Sequence, residues 1–259
     1  MSKLARATVV VGLLFGVLGA SPVVSYADVV TPAPKPAIFR NGLWLLRNSL
    51  TSGAADSAFV FGRSGDFPVM GDWDGDGTKT VGVVRGSTWY LRNTNSAGKP
   101  DITFTFGGPQ DFPLAGDWNG DGRDTPGVVR CPTSPCQTPI WYIRNSASAG
   151  HSSSTVSYGV DGFPVVADWD GDGDDTPAVV DDEMVWGYAN AFKTGAKSAL
   201  FVFGRPDDQP VAGAWGAGGR VAPGVVRNGQ WLLRTTLNGG AATSSFRFGR
   251  AGDYFLVWQ

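Results

Sequence analysis

Three short acidic runs are the chemistry-bearing part of this sequence: Asp72-Trp73-Asp74-Gly75-Asp76-Gly77, Asp117-Trp118-Asn119-Gly120-Asp121-Gly122 and Asp168-Trp169-Asp170-Gly171-Asp172-Gly173. Oxygen side chains at the first, third and fifth places of such a loop can converge on one point, while glycine at the sixth permits a sharp reversal. Hard oxygen donors in that number suit Ca²⁺, which takes roughly 6–8 oxygens at about 2.3–2.6 Å. Like charges this close repel one another without a cation between them. The candidate metal residues are therefore Asp72, Asp74 and Asp76; Asp117, Asn119 and Asp121; and Asp168, Asp170 and Asp172. Thr78, Arg123 and Asp174 can add backbone carbonyls at the seventh place, and Thr80, Thr125 and Thr176 occupy the ninth, giving up to three Ca²⁺ sites.

The twelfth place is Val83, Val128 and Val179, so the bidentate Glu of a helix-loop-helix calcium site is missing. Asp124 and Asp175, at the eighth place, are either substitute ligands or solvated charges. A fourth copy reads Ala214-Trp215-Gly216-Ala217-Gly218-Gly219 and has no carboxylate, so the turn itself can form without metal. Asp-Gly pairs also make tight hairpins in their own right. Three such runs at one spacing favour the cation over that simpler reading.

These loops must be positioned by something periodic. One tryptophan series is Trp44, Trp89, Trp141, Trp186, Trp231; a second is Trp73, Trp118, Trp169, Trp215, Trp258. Phe61-Gly62, Phe106-Gly107, Tyr158-Gly159, Phe203-Gly204 and Phe248-Gly249 keep the same beat, with a period of about 45 residues. The one long step holds Cys131-Pro132-Thr133-Ser134-Pro135-Cys136, an insertion whose two cysteines, the only ones in the chain, are expected to form a small disulfide loop.

Within each unit, apolar residues alternate as they do in strands. Phe104 and Phe106 share a face, for example, with Thr105 on the other. Four strands fit each unit, illustrated by 68–73 (a), 81–85 (b), 88–92 (c) and 102–106 (d), with Gly, Pro, Asn and Asp between them. Four short strands repeated at this length describe propeller blades. The first unit lacks strand a and begins at Ala37, whereas Asp253 to Trp258 supplies only a strand a. The expected fold is thus an all-β, five-bladed propeller of four-stranded antiparallel blades, closed by the C-terminal strand completing the N-terminal blade.

Composition agrees. Gly 37 and Pro 17 in 259 residues imply many turns, and Glu183 is the sole Glu, which speaks against helical surfaces. A formal net charge of -2 without a basic block excludes a nucleic-acid binder. Lys3 and Arg6, the apolar run from Val9 to Leu18 and Ser25-Tyr26-Ala27 read as a secretory signal peptide over 1–27. That run is too short to cross about 30 Å of hydrocarbon as an anchor. Residues 28–36, with three prolines, read as a linker, leaving 37–259 as the propeller. Arginine outnumbers lysine, which fits a GC-rich bacterial source.

The Phe-Gly pairs, the Pro-Val/Leu-x-Gly/Ala-Asp-Trp strand and the Asp-x-Asp-Gly-Asp-Gly loop resemble the FG-GAP (VCBS-like) repeat family, which includes the blades of integrin α-subunit propellers and many secreted bacterial repeat proteins. The resemblance spans about residues 37–259. It implies calcium held in the a–b loops, here at Asp72/Asp74/Asp76, Asp117/Asn119/Asp121 and Asp168/Asp170/Asp172.

No catalytic set accompanies the repeats. Glycoside hydrolysis needs two carboxylates across a glycosidic bond, yet most Asp residues sit in repeat turns, as Asp66, Asp111, Asp208 and Asp253 do before strand a. Glu183 lies in a charged turn, and His151, the only His, sits in a Gly/Ser loop with no nucleophile-elbow pattern. The repeated Arg85, Arg130 and Arg227, and Arg47, Arg92, Arg144 and Arg234, are expected to pair with Asp or cap carbonyls. The expectation is a secreted, monomeric, calcium-binding recognition or scaffold module for an extracellular protein or glycan, with no enzyme activity. A lectin for cell-wall or extracellular glycan is one alternative, and a glycoside hydrolase on a five-bladed propeller is another.

Overall fold

Residues 33–259 are described by a computed structural model. The expected signal peptide and the first part of the linker lie outside these residues. Twenty strands, β1 to β20, make five separate four-stranded antiparallel sheets. The second sheet shows the plan: β4 (Phe67–Gly71), β5 (Thr80–Arg85), β6 (Thr88–Leu91) and β7 (Ile102–Thr105) lie in that order. The third holds β8 (Phe112–Gly116), β9 (Thr125–Arg130), β10 (Ile140–Ile143) and β11 (Ser154–Ser157). The fourth holds β12 (Phe163–Ala167), β13 (Thr176–Val180), β14 (Val185–Tyr188) and β15 (Ala199–Val202). The fifth holds β16 (Gln209–Gly213), β17 (Ala222–Arg227), β18 (Gln230–Leu233) and β19 (Ser244–Arg247).

The first sheet closes the circle. Its order is β20 (Tyr254–Trp258), β1 (Lys35–Arg40), β2 (Leu43–Leu46), β3 (Ser57–Val60), so the last strand of the chain pairs antiparallel with the first. The innermost strands β4, β8, β12, β16 and β20 touch in cyclic order, which makes a five-bladed propeller. Strand β1 starts at Lys35, two residues earlier than the linker boundary predicts, because Lys35 and Pro36 have partners in Trp258 and Val257. The register also corrects one tryptophan. Trp258 pairs with Lys35 as Gly71 pairs with Thr80, so it stands two residues before the place of Trp73. Its ring instead carries the Lys35 ammonium at 4.3 Å.

Radial stacking follows from the alternation of apolar residues. A single blade has two apolar faces and cannot bury both, so each of the five core clusters spans two blades. Phe39, Trp44 and Phe61 of the first blade, for instance, pack with Met70, Val81 and Val83 of the second, while Ile38 and Phe255 of the first join Trp231 and Phe248 of the fifth. Trp44, Trp89, Trp141, Trp186 and Trp231 are fully buried, and each indole N–H donates to the carbonyl of the aromatic residue in the following Phe-Gly or Tyr-Gly pair, at 2.9–3.1 Å. A buried indole thus keeps a hydrogen-bond partner while filling the wedge between blades.

The innermost strands have an edge facing the axis, and Pro68, Pro113, Pro164 and Pro210 sit on it where no ladder partner is needed. At the strand starts, Phe67, Phe112, Phe163 and Tyr254 form an aromatic arc around the axis, with centroids 4.7–5.6 Å apart. Gln209 takes the fifth place and bridges by amide instead, donating to Phe255 O at 2.6 Å and accepting from Phe255 N at 3.2 Å.

Candidate metal loops and the opposite loop face

Antiparallel order puts the a–b loops at one end of the propeller, and the b–c turns and d–a loops at the other. At the a–b end, each leading aspartate organises its own loop. Asp72 accepts the amides of Gly75 at 2.7 Å, Asp76 at 3.1 Å and Gly77 at 2.7 Å. Asp117 does the same for Asp121 and Gly122 at 3.1 and 2.7 Å, and Asp168 for Gly171, Asp172 and Gly173 at 2.7–3.2 Å. Gly75 and Gly77, with φ of 76° and 87°, show why glycine is required here. The fifth-place carboxylates then accept the seventh-place amides of Thr78, Arg123 and Asp174.

Two of the three predicted donor sets are triplets of converging carboxylates. Carboxylate oxygens of Asp72, Asp74 and Asp76 lie within 4.8 Å of one another, as do those of Asp168, Asp170 and Asp172. In the middle loop, Asn119 Nδ2 donates to Asp121 Oδ2 at 3.0 Å, so the amide neutralises the repulsion that the other two loops retain. The Asp174 carboxyl is pushed up to about 6, first by burial and then by its hydrogen bond to Asp172 and the charges of Asp172, Asp170 and Asp168, while that same hydrogen bond lowers Asp172. Burial also raises Asp72, against the three amides that favour its anion.

Two of the three ninth-place threonines go elsewhere. Thr80 Oγ1 donates to Arg92 O at 2.7 Å and to Gly71 O at 3.3 Å, and Thr125 Oγ1 reaches Gly116 O at 3.5 Å. These hydroxyls are spent on strand carbonyls, because the chain has already entered strand b at this place. Thr176 is buried at the start of β13, but its Oγ1 has no hydrogen-bond partner among the described residues.

The eighth place has a role that sequence reasoning missed. Asp124 is neither ligand nor solvated charge: it is 3% exposed, accepts the Asp72 amide at 2.7 Å and donates its own amide to Asp72 O at 2.8 Å. Asp175 repeats this with Asp117, at 3.0 and 2.6 Å. Each pair latches one blade's loop to the next. Lys79, at the same place in the second blade, reaches Asp124 at 3.1 Å and donates its amide to Gln259 O. The Asp175 carboxyl is pushed up to about 7, chiefly by burial, against the pull of Lys79. The Asp-Thr pair repeated at 124–125 and 175–176 was the available signal.

At the opposite end, the repeated arginines pair as expected. Arg40–Asp253, Arg85–Asp66, Arg130–Asp111 and Arg227–Asp208 are two-pronged ion pairs with contacts of 2.6–2.8 Å. Each Asp also accepts an amide of its own d–a loop, from Arg250, Arg63, Gly108 or Arg205. Back at the a–b end, Arg47, Arg92, Arg144 and Arg234 cap carbonyls of the c–d loops. Only the fourth blade lacks the clamp: Gly162 and Asp181 stand where the others have Asp and Arg.

The disulfide is present, with Cys131 and Cys136 bonded at 2.05 Å. It caps a b–c hairpin that overhangs a polar cavity of about 710 Å³ between the third and fourth blades. Asp161 Oδ lies near both sulfurs, but bonded sulfurs are poor metal donors, so this trio is no metal site. Glu183 is exposed in its turn, where its amide donates to Asp181 Oδ1. His151 is exposed, and its carbonyl accepts from Arg144 Nη1 at 2.6 Å. No protein-family model matches this chain, and no curated protein sequence matches it.

Proposed function

We propose that this chain is a secreted recognition or scaffold module, built from FG-GAP-type blades, stabilised by calcium in its a–b loops and without catalytic activity. The observation that carries the metal reading is the convergence of three carboxylates at the fourth blade, where oxygens of Asp168, Asp170 and Asp172 lie within 4.8 Å of one another. A divalent cation supplies the missing charge. Asp168, Asp170 and Asp172 would hold one ion, and Asp72, Asp74 and Asp76 another. Asn119 fits the same role in the middle loop as a neutral oxygen donor once its side-chain amide turns from Asp121.

Recognition is supported by what the remaining charges do. Most of the repeated Arg and Asp residues are spent on internal clamps, caps and latches, which leaves a rigid frame with variable loop ends. Thermal unfolding of the full chain in excess Ca²⁺ and in chelator tests the metal. A ligand that binds only the folded state at 100 times its Kd adds about 2.7 kcal/mol of stability, so the midpoint in Ca²⁺ should rise by several degrees. An identical midpoint in both buffers removes the metal from the proposal.

A further inference from the structure

The cavity beneath the disulfide hairpin lies where the end bearing the d–a loops departs from its repeat by an insertion. Its walls come from the d–a loop at Gly108–Asp111, the hairpin from Arg130 to Cys136, and Asp161 of the fourth blade. A volume of about 710 Å³ lies in the range of small-molecule sites, roughly 300–1,000 Å³. Its only apolar side chains, the disulfide aside, are the rings of Pro109, Pro132 and Pro135. We propose that this cavity is the ligand site of the module, and that its ligand is a saccharide bearing neutral hydroxyls or an amine.

The polar groups are held in place before any ligand arrives. Asp111 Oδ1 and Oδ2 accept from Arg130 Nε and Nη2 at 2.7 and 2.8 Å, and Oδ2 also accepts the Gly108 amide at 2.6 Å. The Arg130 guanidinium lies over the Tyr142 ring at 4.8 Å, which fixes its plane. Its Nη1 has no protein partner among the described residues, so it presents donors to the cavity's contents. Asp111 is only 5% exposed and serves to fix Arg130, whose half-exposed guanidinium edge can donate to sugar hydroxyls. Pro109, Pro132 and Pro135 add rigid apolar faces against which the C–H face of a sugar ring can lie.

Charge narrows the ligand. Arg130 and Asp111 cancel, but Asp161 has no cationic partner among the described residues. The cavity therefore carries one uncompensated negative charge, which disfavours phosphates and uronic acids and favours a neutral or amine-bearing ring. The insertion that forms the wall is confined to one blade, so the site is a departure from the repeat rather than one of its structural parts.

This inference deepens the recognition reading and rests on it. The test is calorimetric titration of the full chain with three probes: glucosamine oligosaccharides, cello-oligosaccharides and oligogalacturonates. The first two should bind and the third should not. Asp161→Asn, which alters an exposed side chain, should weaken the glucosamine oligomer about tenfold or more, as loss of a charge-assisted hydrogen bond does, and should affect the neutral oligomer less. Cys131→Ser with Cys136→Ser should weaken both, while Glu183→Gln, outside the cavity, should change neither.

Preference for the oligogalacturonate, or equal binding by all variants, overturns the site. So does binding of a lysine-rich peptide with no saccharide bound, which would make the partner a basic protein segment. The chelator melt reads the loops at the far end of the propeller. Calcium stabilisation without saccharide binding therefore overturns this cavity alone, and saccharide binding with an unchanged melt overturns the metal alone.

Discussion

Asp124 and Asp72 exchange two hydrogen bonds across a blade boundary, each amide serving the other residue's oxygen, at 2.7 and 2.8 Å. Asp124 belongs to the loop of the third blade and Asp72 to that of the second, so the candidate metal loops are coupled to blade stacking. Asp124→Ala should leave the buried Asp72 amide and Lys79 without their partner. The expected cost is about 2–4 kcal/mol, with Asp124→Asn costing less because it keeps an acceptor. Denaturant titration checks both, and equal stability of Asp124→Ala and the parent refutes the latch.

Ring closure depends on β20. Removing residues after Gly252 strips the partner of β1 and takes Phe255 out of the interface with the fifth blade. It also leaves an unpaired edge open to association. The truncated chain should lose its cooperative melt, or unfold many degrees lower, and should aggregate in size-exclusion chromatography. A cooperative melt at the parent midpoint would show that closure contributes nothing.

Tyr158 stands where the other blades have Phe and uses its hydroxyl between blades, donating to Gly187 O at 3.1 Å and contacting Ser198 Oγ at 2.8 Å. Burial raises its pKa above the usual tyrosine value, and the Ser198 contact opposes that shift. A raised folded pKa contributes stability that is complete below the unfolded value, near 10, and is lost as pH rises through the folded value. Tyr158→Phe should cost about 1 kcal/mol at neutral pH. The gap between variant and parent should shrink in alkaline denaturation curves, and a constant gap would contradict the assignment.

Asp170 separates the two readings of the acidic loops. Its carboxylate accepts no loop amide among the described residues, unlike that of Asp168, and its charge is one of those that raise Asp174. Asp170→Asn should stabilise the metal-free protein slightly at neutral pH and reduce the midpoint shift on adding Ca²⁺. If the residue served only the hairpin turn, the calcium response would be the same with and without the substitution. Paired melts in calcium and chelator decide this.

Much of the fold was legible because a propeller writes its period into the chain. The buried Trp44 series, the Phe-Gly pairs and the complementary ends give blade number and closure without coordinates. Trp258 misled, since a tryptophan near the right spacing looks like a repeat landmark while its strand partner, Lys35, places it two residues off. Thr80 and Thr125 misled too: counting loop places cannot show that strand b has already begun and turned their hydroxyls to carbonyls.

Local order set what could be known early. Alternation, glycine placement and acidic spacing act over a few residues, so strands, turns and the first three donors of each loop follow from the chain itself. The latch between Asp124 and Asp72, the carbonyl partner of each buried indole and the cavity walled by Cys131–Cys136 and Asp161 join residues that only stacking brings together. Side-chain partners across a blade boundary depend on the angle and spacing of neighbouring sheets, which the folded ring alone decides.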